Sequence, residues 1–580
     1  MAFIPSESPG INIKEFDLSG VVPAVTTSTG AIVGDFNWGP VSEPVKVANE
    51  AQLVSSFGSP TFTNDSSAID YLSASSFLKY SSDLFVVREV GSGAYNAKDS
   101  AGTADLLIRN DDDWTTQQVT AGVQSNTFIA KHAGLAGNSI DVHMCPVGTS
   151  PTVFSGWAYA SAFDSRPGTS THVAALSIDG TSANDEVHIA VVDRDGKFTG
   201  TKGTVLETYP FVSIASDAKT PDGTSNFALD VINAKSEYVR AAGLNPGYIT
   251  ATSSAFTAVT NGTGTKSGVE TIVLKSGSAG TKIAESEYET GFAQFADVDT
   301  IQVDFLIAPG IPATVAHKTV VENLVAIATA RKDCIVVASP PRGVVVNAAA
   351  STLVANTVAW SDTLTASSYL IVDNNYLKVY DKYNDQYVFI PASASTAGVM
   401  AATDDVSAPW FSPAGSRRGQ YLGVTALSHS PTKAERDTLY KAGVNPIVNI
   451  PGQGILLFGD KTKLGRPSAF DRINVRRLFL GVERAVKAAA QNVMFEFNDE
   501  FTRAEFVNVV EPFLREIKGR RGITDFRVVC DETNNTGSIV DSNQFVATVF
   551  IKPARSINYV TLNFVAVRTG VDFDEVVGLV

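Results

Sequence analysis

The sequence has little of the residues that most often carry a recognisable chemistry. Its 580 residues include three cysteines, four methionines, five tryptophans and six histidines. Cys145, Cys334 and Cys530 are far apart, so no pair has the close spacing of a zinc motif, and an odd count argues against a disulfide framework. They read as reduced core residues of a protein folded in cytoplasm. No apolar run approaches the roughly 18 residues a membrane helix needs, and the first residues lack the basic and apolar regions of a signal peptide. Neither a secreted nor a bilayer-embedded chain is expected. Basic residues are also in deficit: 45 against 60 acidic ones give a formal net charge of -15. Such a surface repels phosphate, so nucleic acid is not expected as the main partner.

Catalytic signatures are missing as well. There is no Gly-x-Ser-x-Gly elbow, no His-Glu-x-x-His, no P-loop and no Gly-x-Gly-x-x-Gly after a strand. Gly452-Gln453-Gly454 lacks a third glycine and reads as a turn. The run from Asp193 to Gly196 starts like a calcium loop, but Lys197, Phe198 and Thr204 occupy positions that such a loop needs for other residues, which leaves a hairpin turn. Asp111-Asp112-Asp113 reads as a solvated turn, because consecutive carboxylates point different ways. The histidines are scattered. Neither a metal nor a cofactor is expected, and no catalytic residue is assigned.

What is present describes a folded chain: 44% of residues are hydrophobic, 18% charged, and the length suggests roughly three to five domains. Residues 11–16 alternate apolar and polar like a strand with one buried face, isolated by Gly20 and Pro23. From 30 to 90 the pattern is α/β, with strands at 31–34 and 84–88, a capped turn at 49–57 and a helix at 68–79. From about 91 to 285 short alternating runs with Gly, Ser, Thr and Asp indicate a mainly β region. Within it, 251–280 reads as an exposed loop or boundary. A βαβ unit follows, with strands at 303–308 and 334–338 around a helix at 317–331, then strands at 369–372 and 387–390. Two amphipathic helices mark the C-terminal region. The first, 474–491, has its stripe at Val475, Leu478, Phe479, Val482, Val486 and Ala489. The second carries a capping box of Thr502 with Glu505, a Phe501–Phe506 staple and Gly519 as its terminating glycine, with Pro512 expected to kink it. Strands are expected at 526–530, 545–551 and 557–567. Residues 571–574 alternate again, a second strand without an evident hairpin partner. Arg472, Arg476, Arg477 and Arg484 lie along the first helix, and Lys518, Arg520 and Arg521 close the second, a basic concentration in an acidic chain that suits either a solvated face or an acidic protein partner.

In order along the chain, several runs resemble the tail sheath proteins of contractile-tailed bacteriophages. They are Ser8-Pro9-Gly10-Ile11-Asn12-Ile13-Lys14-Glu15, Ala31-Ile32-Val33-Gly34 with Trp38-Gly39-Pro40, 131–139, 390–398, 410–415, Asn445-Pro446-Ile447, 452–459, Asn474-Val475-Arg476-Arg477-Leu478 and 552–558 with Asn563-Phe564. The resemblance implies a multidomain α/β and α+β architecture: an inner core from the N- and C-terminal regions, a subtilisin-like α/β fold without protease activity, and β-rich outward insertions. Its segments would be an N-terminal strand arm (1–20), the first part of the core (21–90), the β-rich insertion (91–285), the subtilisin-like domain (286–450), an inner α+β domain (451–567) and a C-terminal strand arm (568–580). It implies a non-enzymatic structural subunit of the virion tail, assembled in the host cytoplasm as hexameric rings stacked around a tail tube, with baseplate and tail terminator proteins as further partners and no membrane. The sheath of a phage-derived bacteriocin or injection system is the alternative in the same class, and a hydrolase on the α/β domain one from a different class. Strand exchange between subunits falls to Ile11, Asn12, Ile13 and Lys14 at one end and Val571, Asp572, Phe573 and Asp574 at the other. Tail-tube contact falls to Arg472, Arg476, Arg477, Lys518, Arg520 and Arg521.

Overall fold

The computed structural model describes residues 27–558 except 62–64, 100–104, 121–122, 124–125, 147–150, 176–184, 244–267 and 312. Both terminal segments assigned to strand exchange, Ile11 to Lys14 and Val571 to Asp574, lie outside the described residues, as does 559–567 of the last expected strand. The chain divides into two compact units, one comprising 24–409 with 413–476 and the other containing 410–412 and 477–580.

The first unit is organised by a seven-stranded sheet. Its order is Val444–Asn445, Leu370–Asp373, Ile335–Ala338, Phe305–Ile307, Gly30–Gly34, Leu84–Arg88 and Pro44–Val47, all parallel except the last, which is antiparallel to its neighbour. Parallel strands covered on both faces read as unbroken apolar runs, which is why Ile335-Val336-Val337-Ala338 is buried throughout. Alternate residues serve opposite faces. Ala31, Val33, Val336 and Ala338 join one core with Phe292, Val320, Leu324, Leu353 and Trp360, contributed by helices Glu285–Ala293, Thr314–Arg331 and Ala350–Asp362. Helices Asp65–Phe77 and Ser393–Val406 also pack on the sheet. One close approach depends on glycine: a Cβ at Gly291 would sit 2.5 Å from Val33 Cγ1.

Residues 27–88 therefore belong to the same sheet as 305–445. Residues 477–558 form part of the other unit. The helices expected at 49–57, 68–79, 317–331 and 474–491 are present to within a few residues, whereas Glu285–Ala293, Ala350–Asp362, Ser393–Val406 and Lys433–Lys441 have no counterpart in the sequence reading. Where a turn is expected, Asp111–Gln117 is a helix capped by the Asn110 side chain, with the three aspartates in its first turn and Asp111 paired to Arg240. Carboxylates there are favoured by the helix dipole, a more ordered outcome than a solvated turn.

The β-rich insertion holds two four-stranded antiparallel sheets. One orders Glu270–Val273, Ile140–Pro146, Glu186–Asp193 and Thr204–Ser213; the other orders Ser278–Ala279, Ala94–Lys98, Phe128–Ala133 and Val239–Ala241. Strand Glu270–Val273 falls inside the stretch expected to be loop, because Ile272 supplies a buried side chain to the insertion core. After Asp193 the chain makes a longer connection than a tight hairpin. The Asp193 carboxylate accepts N–H bonds from Lys197, Phe198 and Thr199, each at 2.9 Å. Gly452 and Gly454, with φ of 80° and 83°, form the expected turn between Ile447–Ile450 and Gly454–Leu457.

The insertion is rooted in the sheet domain at two places. Where the chain leaves and returns, Thr281 donates its N–H to Ser92 O at 2.9 Å, and a Cβ at Gly91 would lie 2.1 Å from Thr281 O. Beside this crossing, Trp38 enters the insertion core, its ring 5.0 Å from those of both His132 and Phe198. Arg88, at the end of a sheet strand and 1% exposed, donates from Nε to Phe36 O (2.7 Å), from Nη1 to Gly39 O (2.8 Å) and from Nη2 to Ala133 O (2.7 Å). Burial pulls its pKa down to about 10, so it remains a cation at neutral pH.

Candidate functional site

The unit containing 477–558 is simple enough to build from its sequence. Helix Glu500–Gly519 buries Phe506, Val510, Leu514 and Ile517 at i, i+4, i+8 and i+11, a narrow apolar stripe. Its cap is Asp499, whose carboxylate accepts the N–H of Thr502 at 2.8 Å. Asp499 thus replaces the expected Thr502–Glu505 box, and Phe501, 77% exposed, staples nothing. The helix runs through Pro512. It ends in a Schellman arrangement, with Gly522 N–H to Ile517 O (2.9 Å) and Arg521 N–H to Lys518 O (3.1 Å). The left-handed position is Arg521, φ 67°, and not Gly519. A side chain other than glycine there costs about 1 kcal/mol, so this arginine is held in place against its backbone preference.

Against this helix packs a hairpin of strands Ile523–Val529 and Thr548–Pro553, paired antiparallel with Phe526 opposite Ile551 and Arg527 opposite Phe550. Among the described residues no third strand pairs with either edge. Each strand therefore offers a row of backbone donors and acceptors along its outer side.

The basic residues separate into two sets. Arg472 pairs with Asp460 (2.9 Å) and contacts Tyr440 Oη. Arg476 is 7% exposed, held between the rings of Tyr369 and Phe470 at 4.3 and 4.1 Å and bonded to Ser368 Oγ. Arg477 is 4% exposed. Of the residues assigned to tail-tube contact, Arg476 and Arg477 are thus buried and Arg472 is held by groups of its own chain, so these three present little charge at the surface. Lys518, Arg520 and Arg521 are exposed at the end of helix Glu500–Gly519. Lys518 pairs with Asp525 at 3.0 Å, and Arg520 lies over the Trp410 ring at 5.0 Å while Trp410 Nε1 donates to its carbonyl.

Comparisons with known proteins decide what kind of molecule this is. The phage tail sheath protein central domain matches residues 281–463, the phage tail sheath C-terminal domain 466–566, and the N-terminal region of tail sheath protein Gp18 domain III 27–88. The tail sheath protein of Vibrio phage KVP40 is 33% identical over 98% of this chain and 99% of its own length; that of Enterobacteria phage T4 is 33% identical over 99% of both. The chain belongs to the phage tail sheath protein family. The fold agrees: crystal structures of the sheath tail proteins from Listeria innocua and Desulfitobacterium hafniense superpose with TM-scores of 0.53 and 0.51, at 12% and 14% identity, covering 92% and 94% of this chain and 96% and 100% of theirs. Phage tail sheath proteins are structural components of the virion tail, and this chain is one of that class. The matches flank 89–280, which is where this sheath protein carries its β-rich insertion.

The sheet domain of this sheath protein does gather polar side chains that resemble an active site. Buried Asp373 accepts from Ser339 Oγ (3.0 Å), Asn375 N–H (3.2 Å) and Thr396 Oγ1 (3.2 Å), and Ser393 opens helix Ser393–Val406 nearby with its N–H on Ser339 Oγ (2.8 Å). Burial raises the Asp373 pKa to about 7 against these donors. A nucleophile needs a base in reach. Here the Ser393 hydroxyl is spent on Ala308 O at 2.9 Å, and among the described residues none of the six histidine rings is hydrogen-bonded to Ser339, Ser393 or Thr396. The cluster ties three segments of the sheet domain together.

Proposed function

We propose that this sheath protein polymerises by strand exchange and stacks as hexameric rings around a tail tube, between baseplate and tail terminator proteins. Contraction of that polymer drives the tube through the host envelope, with the energy held in subunit interfaces. Assembly takes place in the host cytoplasm. The open hairpin Ile523–Val529/Thr548–Pro553 carries this reading: its unpaired edges fit the isolated strands read at residues 11–16 and 571–574 of neighbouring subunits by β-augmentation. Residues 1–20 and 568–580 are then arms, 286–450 the subtilisin-like part, 451–567 the inner domain and 91–285 the outward insertion; the doubly covered parallel sheet supports the subtilisin-like assignment. Electron microscopy of the purified full-length chain tests the reading. Long striated tubes are the expected result, and a monomer at every concentration would overturn it.

Lys518, Arg520 and Arg521 are the exposed cations left to meet an acidic tube surface. Reversing Arg520 and Arg521 to glutamate is expected to weaken tube-dependent assembly most at low salt, since exposed charges are screened within about 10 Å at 0.1 M. Sheaths that form on tubes equally well across salt concentrations would remove these residues from the contact.

A further inference from the structure

Between the two C-terminal helices and at the start of the second, the chain exposes apolar side chains that no other described residue of their unit covers. Met494, Phe495, Phe497 and Phe501 are 59%, 100%, 84% and 77% exposed. Single exposed apolar residues are ordinary, but four large ones fall within eight positions here, and concentrated exposed apolar surface marks interaction sites. The segment is also held in shape. Asn498 donates through Nδ2 to Gln544 O at 2.7 Å and accepts from Arg503 Nε at 2.8 Å, while Asp499 caps the following helix. Phe495 has φ 72°, a left-handed conformation costly for a bulky residue, retained where the ring buries nothing in its own chain. Three phenylalanines fixed in this way contribute contact area at a small entropy cost on binding.

We infer that this phenylalanine loop is a docking surface for a second copy of the same chain, and that the contact is heterologous. This rests on the sheath reading and adds an interface to it. Two observations select the occupant. The first is continuity: Gln544, which the loop holds, leads directly into Thr548–Pro553, one edge of the hairpin assigned to a neighbour's strand, so a subunit engaged there continues onto the loop. The second is charge. Exposed Glu496, Asp499 and Glu500 sit among the rings, and residues 492–502 contain no lysine or arginine. Two such loops repel one another, so a symmetric pair is disfavoured and the loop seats on a different, cation-bearing surface of the next copy. Head-to-tail contacts of this kind propagate instead of closing as a dimer.

The test is Phe495→Ser with Phe497→Ser in the full-length chain, with Glu496→Lys as a second variant that leaves the rings intact. The double serine variant is expected to keep the circular dichroism and melting behaviour of the parent while raising the concentration needed for polymerisation by roughly 10- to 100-fold per phenylalanine. Glu496→Lys should raise it by a smaller factor that shrinks as salt is added. Unchanged polymerisation by the double variant overturns the inference. So does normal self-assembly accompanied by lost binding to isolated tail tubes, which would make the loop a tube contact. Loss of striated tubes in the parent chain itself would refute the sheath reading instead, which keeps the two failures distinct.

Discussion

Removal of residues 1–20 is expected to give a folded monomer that forms no tubes. The described sheet domain begins at residue 27 and draws its first strand from Gly30–Gly34, so its described core is retained in the truncated chain. What is lost is the strand read at residues 11–16. Each backbone hydrogen bond contributes about 0.5–1.5 kcal/mol net, so a strand of this length supplies a few kcal/mol together with burial of Ile11 and Ile13. At about 1.4 kcal/mol per factor of ten, one such link changes the association constant by orders of magnitude. Every subunit of a mesh makes the same link, and the losses act together. Sedimentation and electron microscopy should show monomer at concentrations where the parent forms tubes, with unchanged circular dichroism. Normal sheaths from the truncated chain would sink the strand-exchange mechanism.

Arg88→Leu is expected to destabilise the sheet domain by about 3–5 kcal/mol, the range for breaking a buried charged network. Three carbonyls, those of Phe36, Gly39 and Ala133, lose their donor at once in a buried setting, where an unsatisfied acceptor carries its full desolvation cost. Arg88→Lys should recover only part of the loss, because one ammonium cannot reproduce a planar fork aimed at three acceptors. Because Ala133 belongs to the insertion and Phe36 and Gly39 to the sheet domain, limited proteolysis should cut within 91–285 before the sheet itself unfolds. Thermal denaturation gives the magnitude. Wild-type stability for Arg88→Lys would show that the guanidinium is not the tie.

Much of this architecture was legible from residue patterns, for identifiable reasons. The parallel strands at Gly30–Gly34, Leu84–Arg88 and Ile335–Ala338 read clearly because burial on both faces leaves no polar alternation to obscure them. Where helices were read, their positions followed from apolar periodicity, but caps did not. Thr502 with Glu505 satisfies the sequence rule for a capping box as well as Asp499 satisfies the simpler one, and only the backbone decides between them. The basic residues failed for a different reason. Arg472, Arg476 and Arg477 count as charge in a sequence, while two of the rings that enclose the first two, Tyr369 and Tyr440, come from distant segments. The phenylalanine loop left a signal, Met494, Phe495 and Phe497 in a short connection with Phe501 in the first turn of the next helix, but a staple reading absorbed Phe501 and hid the rest. The joint at Trp38 and Arg88 left none, since nothing local says that a loop tryptophan will enter an insertion beginning some fifty residues later.

The crossing at Gly91 and Thr281 has a practical consequence. Because the chain leaves and returns through neighbouring residues, the sheet registers ending at Arg88 and beginning at Phe305 do not depend on what is spliced between. The sheet domain can therefore accept a different module between Gly91 and Thr281 without changing its own strand pairing. The same clasp is a grafting port for displaying foreign domains, provided that Trp38 and the Arg88 donors are given new partners or retired with the module they serve.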